Sequence, residues 1–161
     1  MKILIVSDTH RDNRNFMKVM EREENVDMLI HCGDIEGSEY LYEQAIDGDV
    51  HMVSGNNDFF SSLPDEEEFD IGRYRVLLTH GHTYRVSMGN EILKSEAVSR
   101  GAHIVIYGHT HRPVIEYDKD IIAINPGSLT YPRQDGRHPT YIVMMIDDQG
   151  EASFKLKLIA D

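Results

Sequence analysis

The side chains able to do chemistry in this 161-residue chain recur at one kind of place. Asp8 and His10 follow the apolar run Ile3-Leu4-Ile5-Val6. Gly33-Asp34 follows Met28-Leu29-Ile30, and Gly55-Asn56 follows Met52-Val53. His80 follows Val76-Leu77-Leu78, and Gly108-His109 and His111 follow Ile104-Val105-Ile106. Runs of this kind read as strands buried on both faces, and open α/β sheets assemble their sites outside the carboxyl ends of such strands. One Asp-x-His occurs by chance. Five strand-end matches in one chain point to a single cleft where all these side chains meet.

The ligand types narrow the chemistry. Two carboxylates, one amide and four imidazoles, with no thiolate among them, suit borderline-hard divalent ions such as Mn, Fe, Ni or Zn. A structural zinc site would be richer in cysteine, and a Ca or Mg cage would use oxygen alone. Seven ligands are too many for one tetrahedral ion. They suit two ions that share a carboxylate and a bridging water, about 3.5–4 Å apart, clamping both oxygens of a phosphoryl displacement.

The order Asp8-x-His10, Gly33-Asp34, Gly55-Asn56-x-Asp58, His80, Gly108-His109-x-His111 resembles the calcineurin-like metallophosphoesterase family, from Asp8 to about Ser128. Asn125-Pro126-Gly127-Ser128 is similar to the small bacterial and archaeal phosphodiesterase branch, which lacks a cap domain. The resemblance implies two half-sites. Asp8, His10 and His111 would hold the first ion, Asn56, His80 and His109 the second, and Asp34 would bridge them. Asp34, Asn56 and His109 would act in catalysis through the metals rather than as acids or bases. Two divalent ions are the implied cofactor, Mn first, with Fe, Ni or Zn as the alternatives. The glycines at 33, 55 and 108 fit tight strand exits.

One segment departs from the family. Many members carry Gly-Asn-His-Asp, whose His helps to protonate the leaving group. Here it reads Gly55-Asn56-Asn57-Asp58. An amide is no general acid, and such acids contribute about 10²–10⁴-fold. The expected reaction is therefore hydrolysis of small phosphate esters, phosphodiesters before monoesters, by attack of a metal-bridging hydroxide and with a preference for good leaving groups. The alternative is a non-catalytic scaffold or a phosphate-binding module on the same fold; the full set of seven ligands favours the enzyme. Asn57, His82 and Arg133 are the candidate substrate contacts, with Arg11, Arg14 and Arg137 behind them.

The elements that must position these residues follow from periodicity. Strands are expected at 2–7, 28–32, 50–54, 75–79, 103–107, 113–118, 121–125, 140–147 and 152–159. Helices are expected at 13–24, at 38–46 with Ser38 as its cap, and at 89–100. Residues 64–70 are acidic and read as a surface turn entering a strand, with Glu66-Glu67-Glu68 a solvated charge run. Early β-α-β units followed by strands predict an α/β fold: a four-layer α-β-β-α sandwich of two mixed β-sheets flanked by helices, in one domain over 1–161.

Composition bounds the rest. The net charge of −12 disfavours long nucleic acid, while two divalent ions would outweigh the carboxylates and leave the site itself attractive to a phosphate ester. A small phosphorylated substrate is the expected partner. With no cap to shape the pocket, specificity would fall to loops or a neighbouring subunit, so a homo-oligomer is among the expected states. No stretch approaches the ~20 apolar residues of a membrane span, and a strand from residue 2 leaves no room for a signal peptide. A single cysteine, Cys32, fits a reducing compartment and a cytoplasmic location, and reads as a small buried hydrophobe. His31 reads as a core residue, and His51, His103 and His138 as structural or surface ones.

Overall fold

Strand β1 (Lys2–Val6) alternates its burial between two cores, and that alternation sets the layers. Ile3 and Ile5 point into one apolar cluster, Leu4 and Val6 into another. The same split recurs in β2 (Met28–His31), where Met28 and Ile30 face the first cluster and Leu29 the second. A computed structural model describes residues 1–160.

The first sheet continues from β2 to β3 (Asp49–Met52) and, on the other side of β1, through β9 (Thr140–Ile146) to β10 (Ala152–Leu158), in the order β10-β9-β1-β2-β3. β1, β2 and β3 run parallel, and β9 and β10 are antiparallel additions. The second sheet contains β4 (Glu66–Ile71), β5 (Tyr74–Thr79), β6 (Ile104–Ile106), β7 (Pro113–Tyr117) and β8 (Ile122–Pro126), ordered β4-β5-β6-β8-β7. Its centre, β5-β6-β8, is parallel and its edges are antiparallel. Val76, Leu78, Ile104, Ile106 and Ile124 of this sheet meet Ile3, Ile5, Ile30 and Ile142 of the other. Helices α1 (Arg14–Arg22) and α2 (Glu39–Glu43) cover the outer face of the first sheet through Phe16, Val19 and Tyr42. Helix α3 (Glu91–Ser99) covers the second through Leu93 and Ala97. The result is the four-layer α-β-β-α sandwich. Among the described residues no helix is long and apolar enough to cross a membrane.

Two local expectations are corrected. The acidic segment is not a surface turn: Glu66–Ile71 is strand β4, in register with Tyr74–Thr79 across a two-residue turn at Gly72-Arg73. Phe69 and Ile71 supply the alternation that drives it, both packing against the inter-sheet core. Of the three glutamates only Glu68 is exposed; Glu66 and Glu67 are half-buried. Glu66 pairs with Arg100, Glu67 with His51 and Glu68 with Arg75. Ser38 stands at the α2 N-terminus but makes no capping bond; its hydroxyl accepts from Asn13 Nδ2 at 3.0 Å, and α2 is only five residues long.

Candidate metal centre

The loops leaving β1, β2, β3, β5 and β6 meet at one edge of the sandwich, and their backbone is under strain. Asp8, His10, Asp34, His109 and His111 all have positive φ, between +46° and +68°. A non-glycine residue there costs energy and persists only where its surroundings over-determine it. Here the surroundings do. Asp8 N–H and His10 N–H donate to the Gly33 and Asp34 carbonyls at 3.1 and 2.9 Å, tying the β1 and β2 exits together. The buried Asp58 carboxylate accepts from the backbone N–H of Asp34 (2.8 Å), Ile35 (3.4 Å), Glu36 (2.6 Å) and Gly55 (2.7 Å), tying β2's exit to β3's. Asn125 Nδ2 donates to the Gly108 carbonyl at 2.9 Å, and Ser128 Oγ donates to the Asp8 carbonyl at 2.8 Å. The Asn125–Ser128 motif thus braces the β6 and β1 loops from beneath.

The glycines make the close approach feasible. A Cβ on Gly55 would lie 2.1 Å from Asp34 Oδ1, and one on Gly108 would lie 2.1 Å from Ser7 Oγ and 2.8 Å from Asp8 Oδ2. No side chain fits at either position. Gly33 adds a φ of +104° to contacts of 2.8 Å with Gly55 N and His80 Nδ1.

The ligand atoms face one another. His111 Nε2 lies 3.1 Å from Asp8 Oδ1 and 3.2 Å from His10 Nε2. His10 Nε2 and His80 Nε2 lie 3.8 and 3.5 Å from Asp34 Oδ2, which stands between them. Asn56 Oδ1 lies 3.1 Å from His80 Nε2 and 3.0 Å from His109 Nδ1. All seven expected ligands are therefore brought together. The tautomers follow from the outer contacts. His10 Nδ1 meets the Glu36 carboxylate at 2.9 Å, His80 Nδ1 the Cys32 carbonyl at 2.7 Å, and His111 Nδ1 the Tyr131 carbonyl at 2.7 Å. Each Nδ1 must carry hydrogen to satisfy these acceptors, so each Nε2 turns a lone pair inward, the arrangement that orients imidazoles on metals. Asp8 is split the same way. Oδ2 accepts from Ser7 Oγ (2.5 Å) and His109 N–H (3.1 Å), while Oδ1 is buried with no hydrogen-bond partner. Imidazole lone pairs converging on two buried carboxylates, one of them with an oxygen that has no hydrogen-bond partner, suit a cation. The residues present fit divalent metal.

Electrostatics agree. Burial pushes Asp34 and Asp8 upward, but His80 and Asn57 at Asp34, and His111 and His80 at Asp8, outweigh it and hold both carboxyls below their usual range. Burial pulls His80 downward, yet the adjacent Asp34 and Asp8 carboxylates leave it raised, an attraction for positive charge that a metal ion on Nε2 would answer equally. His109 is lowered by burial and by neighbouring His80.

The remaining candidates divide. Asn57 is spent on Asp34, donating Nδ2–H to Oδ2 at 2.8 Å and its backbone N–H to Oδ1 at 2.9 Å. His82 packs 5.4 Å from the His80 ring and 6.1 Å from that of His109, with Nδ1 buried and unpartnered. Arg14 is engaged with Asp12. Arg11 lines a cleft of about 420 Å³ with Glu36, Asn57 and the exposed Phe59 and Phe60. Arg133 and Arg137 line a second cleft, of about 630 Å³. Cys32 is fully buried and its thiol is pushed far up by burial. His31 is a core residue whose pKa burial lowers to about 3; it accepts Gly33 N–H on Nδ1 at 3.2 Å and meets Thr9 Oγ1 at 3.0 Å. His51 stacks on Phe69, His103 accepts Arg75 N–H, and His138 is exposed. Reading the sequence missed Ser7, Glu36 and Tyr131, and saw Asp58 only as part of the Gly55-Asn56-x-Asp58 motif. A carboxylate directly after Gly-Asn-Asn was the one available signal, since such a residue can fold back on nearby N–H groups.

A family model described as the calcineurin-like phosphoesterase superfamily domain matches residues 1–149. Two proteins of Methanocaldococcus jannaschii are similar along most of the chain. "Probable metallophosphoesterase MJ0623" is 35% identical, covering 83% of this chain and 70% of its own length. "Phosphodiesterase MJ0936" is 32% identical, covering 79% and 83%. Among solved structures, Vps29 of Entamoeba histolytica complexed with Zn²⁺ superposes with a TM-score of 0.79 at 23% identity, covering 98% of this chain and 99% of that one; at this identity the likeness concerns the fold alone. Sequence match, layered fold and converging ligands coincide, and the chain belongs to the calcineurin-like phosphoesterase superfamily.

Proposed function

We propose that the protein is a dinuclear metal-dependent phosphoesterase that prefers phosphodiesters and acts on small substrates in the cytoplasm. The observation that carries the reading is the inward convergence of His10, His80 and His111 Nε2 on Asp8 Oδ1, a buried oxygen without a donor. Asp8, His10 and His111 would hold one ion, and Asn56, His80 and His109 the other. Asp34 would join them, since its Oδ2 faces both His10 and His80. Bound there, divalent ions, Mn²⁺ foremost, would supply an activated water nucleophile and offset charge on the phosphoryl oxygens. The chain's own residues do the positioning. Asn57 fixes both oxygens of Asp34, and Glu36 and the Cys32 and Tyr131 carbonyls fix the imidazole tautomers. No acid stands at position 57, so the leaving oxygen departs with little proton assistance from that side. The name of MJ0936 supports the diester preference. A purely scaffolding role would not require ligand lone pairs to converge in a buried cluster.

The test is reconstitution. Protein stripped by chelation should be inactive, and Mn²⁺ should restore hydrolysis of bis(p-nitrophenyl) phosphate faster than of p-nitrophenyl phosphate. Elemental analysis should find two ions per chain. Full activity in protein shown to be metal-free would refute the reading; a single ion per chain would refute its dinuclear part.

A further inference from the structure

On a chain of net charge −12, most arginines should find a carboxylate, and several do: Arg14, Arg73, Arg75 and Arg100 are all ion-paired. Arg112, Arg133 and Arg137 are not, among the described residues, and they share one open cleft of about 630 Å³ with Thr130, Tyr131 and Pro132. That cleft adjoins the metal centre. Arg112 directly follows His111, and Arg133 N–H donates to the His111 carbonyl at 3.0 Å. The Tyr131 carbonyl accepts from His111 Nδ1, and the Tyr131 ring lies 5.3 Å from that of His10. Arg112 and Arg133 also border a neighbouring cleft of about 460 Å³, where Glu91 is the one carboxylate, unpaired with either. The backbone at Arg137 is set by the turn at Gly136-Arg137, with φ of +81° and +46°, and by its N–H bond to the Gln134 carbonyl.

Arg112, Arg133 and Arg137 are exposed and have no carboxylate partner among the described residues, so their N–H donors are free to take an anion that enters the cleft. Guanidinium groups match phosphate oxygens with paired N–H donors, so phosphate is the anion this geometry suits. We propose that Arg112, Arg133 and Arg137 form a subsite for a second, non-scissile phosphate on the substrate, so that the preferred substrates are short phosphodiesters carrying a terminal phosphate monoester. This rests on the phosphodiesterase reading and narrows its substrate class. The acidic remainder of the surface then explains why the diester must be short: a longer polyanion would extend from the cleft onto like charge.

The experiment compares two dinucleotides that differ only in a 5′-phosphate, with native protein and with an Arg112→Gln/Arg133→Gln/Arg137→Gln variant whose melting temperature is checked first. In the Mn²⁺-loaded native enzyme, kcat/KM for the phosphorylated dinucleotide should exceed that for the other at least tenfold, mostly through KM. The ratio should fall to within about twofold of unity in the variant and shrink with added salt. Using the ratio cancels any effect of the variant on the shared chemical step. If the triple variant fails to fold, Arg133→Gln alone should lower the ratio severalfold. Calorimetric titration of metal-free protein provides a readout independent of turnover: the phosphorylated dinucleotide should bind and the other should not, and the variant should lose the difference. If neither is cleaved but this binding pattern holds, the subsite stands and the phosphodiesterase reading falls. A native ratio near unity, a ratio that survives in the variant, or inorganic phosphate binding as tightly as the dinucleotide would overturn the subsite.

Discussion

Replacing Asp58 by Asn should separate the positioning of the metal loops from the ligands themselves, because Asp58 is none of the seven. Its carboxylate accepts four backbone N–H groups, three on Oδ2 (Asp34, Ile35 and Gly55) and one on Oδ1 (Glu36 at 2.6 Å). An asparagine oxygen placed at Oδ2 keeps the three. Its NH₂ then faces the Glu36 N–H, donor against donor, and the flipped amide would orphan three N–H groups instead of one. The least costly arrangement therefore loses one charge-assisted bond, leaves a partly buried N–H unsatisfied and weakens the other three by removing charge. Each such loss costs about 1–3 kcal/mol, so the sum is about 2–4 kcal/mol. That is a large share of the ~5–15 kcal/mol stability of an ordinary domain. The affected N–H groups flank Asp34 and Asn56, so Mn²⁺ affinity should fall at least tenfold. Urea unfolding of metal-free protein gives the first number and Mn²⁺ titration the second. Asp12→Asn is the control, since its pair with the exposed Arg14 is worth under about 1 kcal/mol. If Asp58→Asn unfolds within 0.5 kcal/mol of native and keeps its metal affinity within twofold, with both margins taken as roughly the measurement error, the clamp has no energetic role and the account of the loops is wrong.

Three further outcomes are expected. Asp34→Asn removes the carboxylate that faces both half-sites, so metal content at both should drop and turnover nearly vanish; two tightly held ions at a near-native rate would exclude the bridging role. With Asn57 spent on Asp34, hydrolysis of a graded series of aryl and alkyl phosphodiesters should depend steeply on leaving-group pKa, and Asn57→His should gain acid assistance for poor leaving groups while losing metal affinity. A flat series would show that another group, His82 first, already supplies the proton. Glu23 is buried under Lys157 (2.5 Å), Lys2 (2.7 Å) and Tyr141 (2.8 Å), which outweigh the cost of burial and pull its pKa from 4.5 down to about 2. A depressed carboxyl pKa stabilises the fold above the unfolded value and loses that contribution as pH falls. Stability of about 3 kcal/mol should therefore vanish as pH falls from 4.5 through 2, and Glu23→Gln should flatten that part of the profile.

The layers and the meeting of the seven candidate side chains at one edge were legible in the chain because both depend on local order. Alternation at Ile3, Leu4, Ile5 and Val6 divides residues between two cores whatever lies beyond, and a ligand just past a strand's carboxyl end must sit at the sheet edge. For the same reason the inward or outward sense of His31 could be read from its place within β2. Strand β4 was missed because its three glutamates mask the short alternation at Phe69 and Ile71; the pairing of Glu66 with Arg100 and of Glu67 with His51 appears only across the packed sheets. The sequence could place His10, His80 and His111 near one another but not choose their tautomers, which Glu36, Cys32 and Tyr131 impose from elsewhere in the chain. Likewise the positive φ of Asp8 and Asp34, the Asp58 clamp, the diversion of Asn57 to Asp34 and the shared cleft of three arginines all come from tertiary structure. Each depends on which donors and charges meet across loops far apart in sequence. Periodicity carries the direction of a side chain, but hydrogen-bond partners and field strengths depend on distances that exist only once both sheets are packed.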